Sequence, residues 1–139
     1  MNISVTVHID NRKLDSFSEL EEFVFQICLQ IGRAILQKAL EIQDQKLMAV
    51  RDTERYRDKG LRRTCIKTKC GPVEYWRRVY LDRHAQPGER KSIFLLDELL
   101  KIAKIGAFSA GMCKLIASSV CESTYRATSR QVSDLSGQP

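Results

Sequence analysis

Proline and histidine are scarce in this chain, with three prolines, two histidines and only seven glycines among 139 residues. Between Ser16 and Val50 there is no proline and a single glycine, so nothing there forces a helix to stop. His8 and His84 belong to no motif with a serine or cysteine nucleophile, and both read as exposed residues rather than catalytic bases. No glycine-rich phosphate loop of Rossmann or P-loop spacing occurs. No run of about 18 apolar residues is present, which argues against a membrane span, and MNISVTVHIDNRK lacks the basic start and apolar centre of a leader. The five cysteines, at positions 28, 65, 70, 113 and 121, are odd in number and show no paired spacing. They read as reduced thiols of a cytoplasmic chain. Cys65 and Cys70, with His84 downstream, lack the second ligand pair of a structural zinc site and read as strand or turn cysteines. Cys113 and Cys121, eight apart on a helix, read as core residues.

Charge is unevenly placed. Residues 1–50 hold five Lys and Arg against seven acids, residues 51–91 hold 13 against six, and residues 92–139 hold five against four. All of the excess positive charge therefore lies in the middle third, the electrostatic footprint of a polyanion partner or of a solvated basic surface.

The alternation of Ile3, Val5, Val7 and Ile9 with Asn2, Ser4, Thr6 and His8 predicts a short, half-buried first strand. After the polar turn Asp10-Asn11-Arg12-Lys13, Ser16 and Glu19 form a capping-box pattern that starts a helix near Ser16. Leu20, Phe23, Val24, Ile27, Ile31, Ala34 and Ile35 recur at three- and four-residue spacing and predict an amphipathic helix to about Val50. At about 1.5 Å per residue it would span roughly 50 Å, longer than a small domain. Leu29, Leu36 and Leu40 supply a second apolar face, so the helix asks for a partner, and a homodimer through residues 16–50 is one candidate. Gly32 marks either close packing or a bend.

The pattern fades through the mixed-charge residues 51–60, read as a helix end and loop. Residues 62–70 and 73–81 then predict a β-hairpin hinged at Gly71-Pro72, followed by a polar loop from Asp82 to Ser92. Helices are expected over Ile93–Ile102, from Ser109 to Val120, and from Ser123 to about Leu135. The overall expectation is an α+β fold: an N-terminal strand and long amphipathic helix, a β-hairpin, then C-terminal helices. Residues 1–92 form the α+β arm, and residues 93–139 a helical segment with an incomplete helix-turn-helix. The chain's last residues, Ser136-Gly137-Gln138-Pro139, read as an interruption rather than a natural terminus.

Asp97 and Glu98 are adjacent, so on a helix their carboxylates diverge by about 100° and read as surface or capping acids rather than metal ligands. The hairpin instead offers binding chemistry. Arg62, Arg63, Lys67, Lys69, Arg77 and Arg78 can neutralise phosphates and release counterions. Arg77 and Arg78, being neighbours in a strand, must point to opposite faces, so a solvated ribbon with cross-strand charge pairs stands as the other reading.

Taken in order, FSELEEFVFQICLQIGRAILQKALEIQDQKL, Lys59-Gly60, IKTKCGPVEYWRRVY, LLDELLKI and STYRATSRQVSDLSGQP resemble the N-terminal region of the ISLre-type insertion-sequence transposases, an uncharacterised transposase-like protein family. The resemblance implies DNA transposition by a mobile element. Its RNase H-like catalytic domain, with the divalent metals, would lie beyond Pro139. It also implies that Glu122 to Leu135 is the first helix of a helix-turn-helix, with Gly137 at the turn and the reading helix missing. Arg126 and Arg130 join the hairpin cations as candidate phosphate contacts. No catalytic, cofactor-binding or metal residue carries over to this chain. The expected function is a DNA-binding and assembly part of a transposase without its catalytic domain; the alternative is an oligomerisation module with no direct DNA contact.

Overall fold

The computed structural model describes residues 1–10, 14–102, 108–122, 130 and 132–135. The long helix α1 runs from Phe17 to Val50, as its uninterrupted periodicity predicts. Ser16 caps it, its hydroxyl accepting from the Glu19 N–H at 3.2 Å. The Glu19 carboxylate reaches back to the N–H of Asp15 at 3.0 Å, one residue earlier than a standard capping box. At the other end the Arg51 N–H closes on Leu47 O, while its guanidinium bonds Met48 O and Tyr56 O and lies over the Tyr80 ring.

Strands β1 (Tyr56–Thr68), β2 (Gly71–Asp82) and β3 (Ser92–Ile93) form an antiparallel sheet in that order. Two expectations shift here. The turn falls at Lys69-Cys70, with Thr68 paired to Gly71 and Pro72 already in the strand opposite Lys67. The Thr68 hydroxyl makes this possible, donating to Gly71 O and accepting from the Cys70 N–H, while Gly71 takes the positive φ of 113°. The hairpin arms are also longer than expected. Strand β1 starts at Tyr56 inside the stretch read as loop, because β2 continues to Asp82 and offers it a partner. A bulge between Asp58 and Leu61 absorbs the extra residue at Gly60, whose φ is 98°.

The expected first strand does not form: residues 1–10 carry no strand, and no strand of the sheet pairs with them. Its alternation survives only as burial, with Ile3, Val5 and Val7 half-buried between exposed neighbours.

Short helices α2 (Leu95–Leu99) and α3 (Ala110–Glu122) follow. Helix α2 is half the length expected, since Ser92–Ile93 is drawn into the sheet and Lys101 takes a positive φ of 50°. Ser109 caps α3, accepting from the Met112 N–H, and its own N–H donates to Lys67 O. Residue 130 and residues 132–135 are helical; the start of the third expected helix and Gly137 lie outside the described residues.

The core joins the hairpin to both sides. Ile66, Val73, Tyr75 and Leu96 are buried together, with Leu40, Leu47 and Ile102 packed against them. Where β3 ends, the side of β2 away from β1 has no strand beside it, and α1 supplies acceptors instead. Glu41 accepts from the Trp76 N–H at 3.3 Å, and both oxygens of buried Asp44 accept from the Arg78 N–H at 3.1 and 3.2 Å. Arg33 adds a bond to Cys70 O at 2.8 Å. Gly32 sits beside the same turn. A β-carbon there would lie 2.9 Å from the Cys70 sulfur, so the glycine serves close packing.

Candidate nucleic-acid interface

The register assigns each hairpin cation a place. Arg62, Thr64, Ile66, Val73, Tyr75 and Arg77 share the face that turns toward the core, and Arg63, Cys65, Lys67, Glu74, Trp76 and Arg78 share the other. Trp76, the chain's one tryptophan, is 48% exposed, whereas Tyr75, Val79 and Tyr80 are buried.

Arg77 and Arg78 are held within the protein. Arg77 forms an ion pair with Asp97, its side chain only 11% exposed, and its guanidinium lies 3.8 Å from the centre of the Phe94 ring. Arg78 pairs with Asp58 at 2.8 Å. Asp97, read from sequence as a surface or capping acid, is thus a structural partner at 26% exposure. Burial pushes the Tyr75 phenol above its usual range, and the charge of Asp97 adds to the shift. Burial likewise raises the Asp44 carboxyl, against the pull of the Arg78 N–H. At the open end of the hairpin, the Arg55 fork grips Asp82 at 3.0 and 3.1 Å and holds that carboxyl below its usual range.

The remaining candidates divide differently. Arg62 and Lys67 are exposed, Lys67 lying 5.5 Å from the Phe108 ring centre. Arg63 is exposed and pairs with Glu74 in solvent. Lys69 is exposed in the turn, its side chain beside Gly111, Arg130 is exposed, and Arg126 lies outside the described residues. Two cations not among the sequence candidates, Arg57 and Lys59, are exposed on β1 as well. The alternation through Tyr56-Arg57-Asp58-Lys59 was the signal for them.

Exposed Arg57, Lys59, Arg62, Arg63 and Lys67 are therefore gathered by strand rather than by face. All sit on β1, the outer strand of the sheet, over roughly 33 Å at about 3.3 Å per residue. Apart from an isolated bridge between Lys67 and Phe108, no strand pairs with its free side among the described residues.

Among the described residues no three His, Cys, Asp or Glu side chains come together to hold a metal ion, and no helix is long and apolar enough to cross a membrane. Cys65 and Cys121 are exposed, the latter against its expected place in a core.

The model of an uncharacterised protein family, UPF0236, matches residues 11–139, nearly the whole chain. The chain belongs to that family. No curated protein and no solved structure matches it. Membership in UPF0236 thus places the long helix and the basic outer strand within one family's matched region, while the family's description names no activity for either.

Proposed function

We propose that this member of UPF0236 is the DNA-holding N-terminal part of a transposase, and that it grips DNA through the phosphates along β1. The observation that carries the reading is the row of exposed cations on the outer strand, Arg57, Lys59, Arg62, Arg63 and Lys67, beside exposed Trp76. A two-stranded β-ribbon fits the major groove, and cations spread along its edge neutralise phosphates and release counterions whatever the base sequence. Such contacts give affinity and register, and leave sequence choice to other parts of the protein. Arg77 and Arg78 support the ribbon from within rather than touching DNA.

Binding to a short duplex, measured by fluorescence anisotropy between 50 and 200 mM salt, tests this. Each phosphate contact contributes about 0.9 to the slope of log K against log salt, so Arg57, Lys59, Arg62 and Lys67 changed together to Ala should weaken binding and flatten the slope by roughly 3.6. An unchanged slope, or no binding by the wild-type chain, would overturn the reading.

A further inference from the structure

The side of α1 turned away from the sheet carries an apolar stripe, four of whose residues are exposed. Exposed Phe17, Val24, Cys28 and Ile35, with half-buried Ile31 and Ile42, lie along it. At about 100° per residue they sit roughly opposite Arg33, Leu40 and Asp44, the residues that meet the hairpin. Their spacing is regular. Positions 17, 21, 24, 28, 31, 35, 38 and 42 alternate steps of four and three, the seam of a coiled coil. Six of the eight are apolar or cysteine; the two charged ones are Glu21 and Lys38, both exposed.

We propose that two copies of this chain pair through this face, with their α1 helices antiparallel and the two-fold axis between residues 29 and 30. The sequence of the stripe is complementary to its own reverse. In that register Phe17 meets Ile42 of the second copy, Val24 meets Ile35, Cys28 meets Ile31, and Glu21 meets Lys38. Both partners of each charged pair are supplied twice by the symmetry. A parallel pairing would stack Glu21 on Glu21 and Lys38 on Lys38, like charges in both layers, so the two charges select the antiparallel arrangement. The carboxylates of Glu41 and Asp44 do not compete for the second copy, because they are bonded to the β2 backbone. The faces are also compatible in space. The hairpin packs on the opposite side of α1, and the cleft that His8, Asp10 and Leu14 line against Glu22, Phe23 and Gln26 lies on that same opposite side, nearer the helix N-terminus.

This pairing does not depend on DNA contact at β1, and its test does not use DNA. Light scattering coupled to size exclusion across a concentration series should find the 139-residue chain dimeric. Val24→Glu, at a site 49% exposed and free of the fold's core, should leave the circular dichroism spectrum of the chain intact while yielding a monomer. The charge pair decides the orientation. Glu21→Lys alone and Lys38→Glu alone should each raise the dimer dissociation constant roughly tenfold, and the double reversal should restore it. A monomeric wild type would overturn the proposal, as would dimerisation unaffected by Val24→Glu. Single reversals that leave the constant unchanged, or a double reversal that fails to restore it, would overturn the antiparallel register.

Discussion

Changing Arg77 to Ala asks whether this cation serves the fold or a ligand. Its guanidinium lies between Asp97 and the Phe94 ring, with Arg77 11% and Asp97 26% exposed. Removing one partner of a buried pair costs about 3–5 kcal/mol, because the other charge is left without compensation, and the lost ring contact adds about 1 kcal/mol. The quarter of Asp97 that remains wet lets water recover part of this, so about 3 kcal/mol is expected. At roughly 3–5 °C per kcal/mol for a chain of this size, the melting temperature should fall by about 10–15 °C. Urea unfolding at pH 7, followed by circular dichroism, measures it. The double change Arg77→Met with Asp97→Leu removes both charges and fills their place with apolar side chains, and should return to within about 1.5 kcal/mol of wild type. A loss below about 1 kcal/mol for Arg77→Ala would refute the structural assignment. So would a fall in DNA affinity at temperatures where that variant remains fully folded.

Two further perturbations probe the junction between α1 and the hairpin. Gly32→Ala gains about 1 kcal/mol of helix propensity but drives a methyl into the Cys70 sulfur, whose backbone is tied by Arg33; a net loss of about 1–2 kcal/mol in urea midpoint is expected, and adding Cys70→Ala should recover it. A single Gly32→Ala change that stabilises the chain would contradict the packing role. Asp44 has its folded-state pKa raised above the ordinary 3.8, chiefly by burial. The native state therefore holds this proton more tightly than the unfolded chain, and the stability it contributes is present below 3.8 and lost as pH rises through the raised value. Relative to Asp44→Asn, the wild type should gain stability as pH falls from 7 toward 4; a flat or opposite difference would sink this account.

What the sequence made legible was local. Helix α1 could be read because its apolar spacing, the Ser16 cap and the lack of proline all agree, and the hairpin because Ile66, Val73 and Tyr75 alternate with charged neighbours. The turn was misplaced by two residues because Gly71-Pro72 is the louder signal, while the geometry is set by a hydroxyl of Thr68 that composition does not reveal. Alternation in residues 2–9 predicted a strand, yet a strand forms only where another lies beside it. The separation of Arg77 and Arg78 from the other cations was half legible. Adjacent strand residues must diverge, but their partners Asp97 and Asp58 lie 20 positions away on either side and come near only in the folded chain. Arg57 and Lys59 were missed for the same reason: β2 makes a strand of a segment whose own composition reads as loop.

The length of α1 also acts as a ruler. Glu41, which meets the hairpin at Trp76, lies 11 to 12 residues from the two-fold between residues 29 and 30, or about 17 Å at 1.5 Å per residue. In the proposed antiparallel pair the two Trp76 positions would be separated by about 35 Å along the helix axis, close to one turn of B-form duplex, about 34 Å. The residues between that axis and Glu41 set the distance, about 1.5 Å for each residue on either helix.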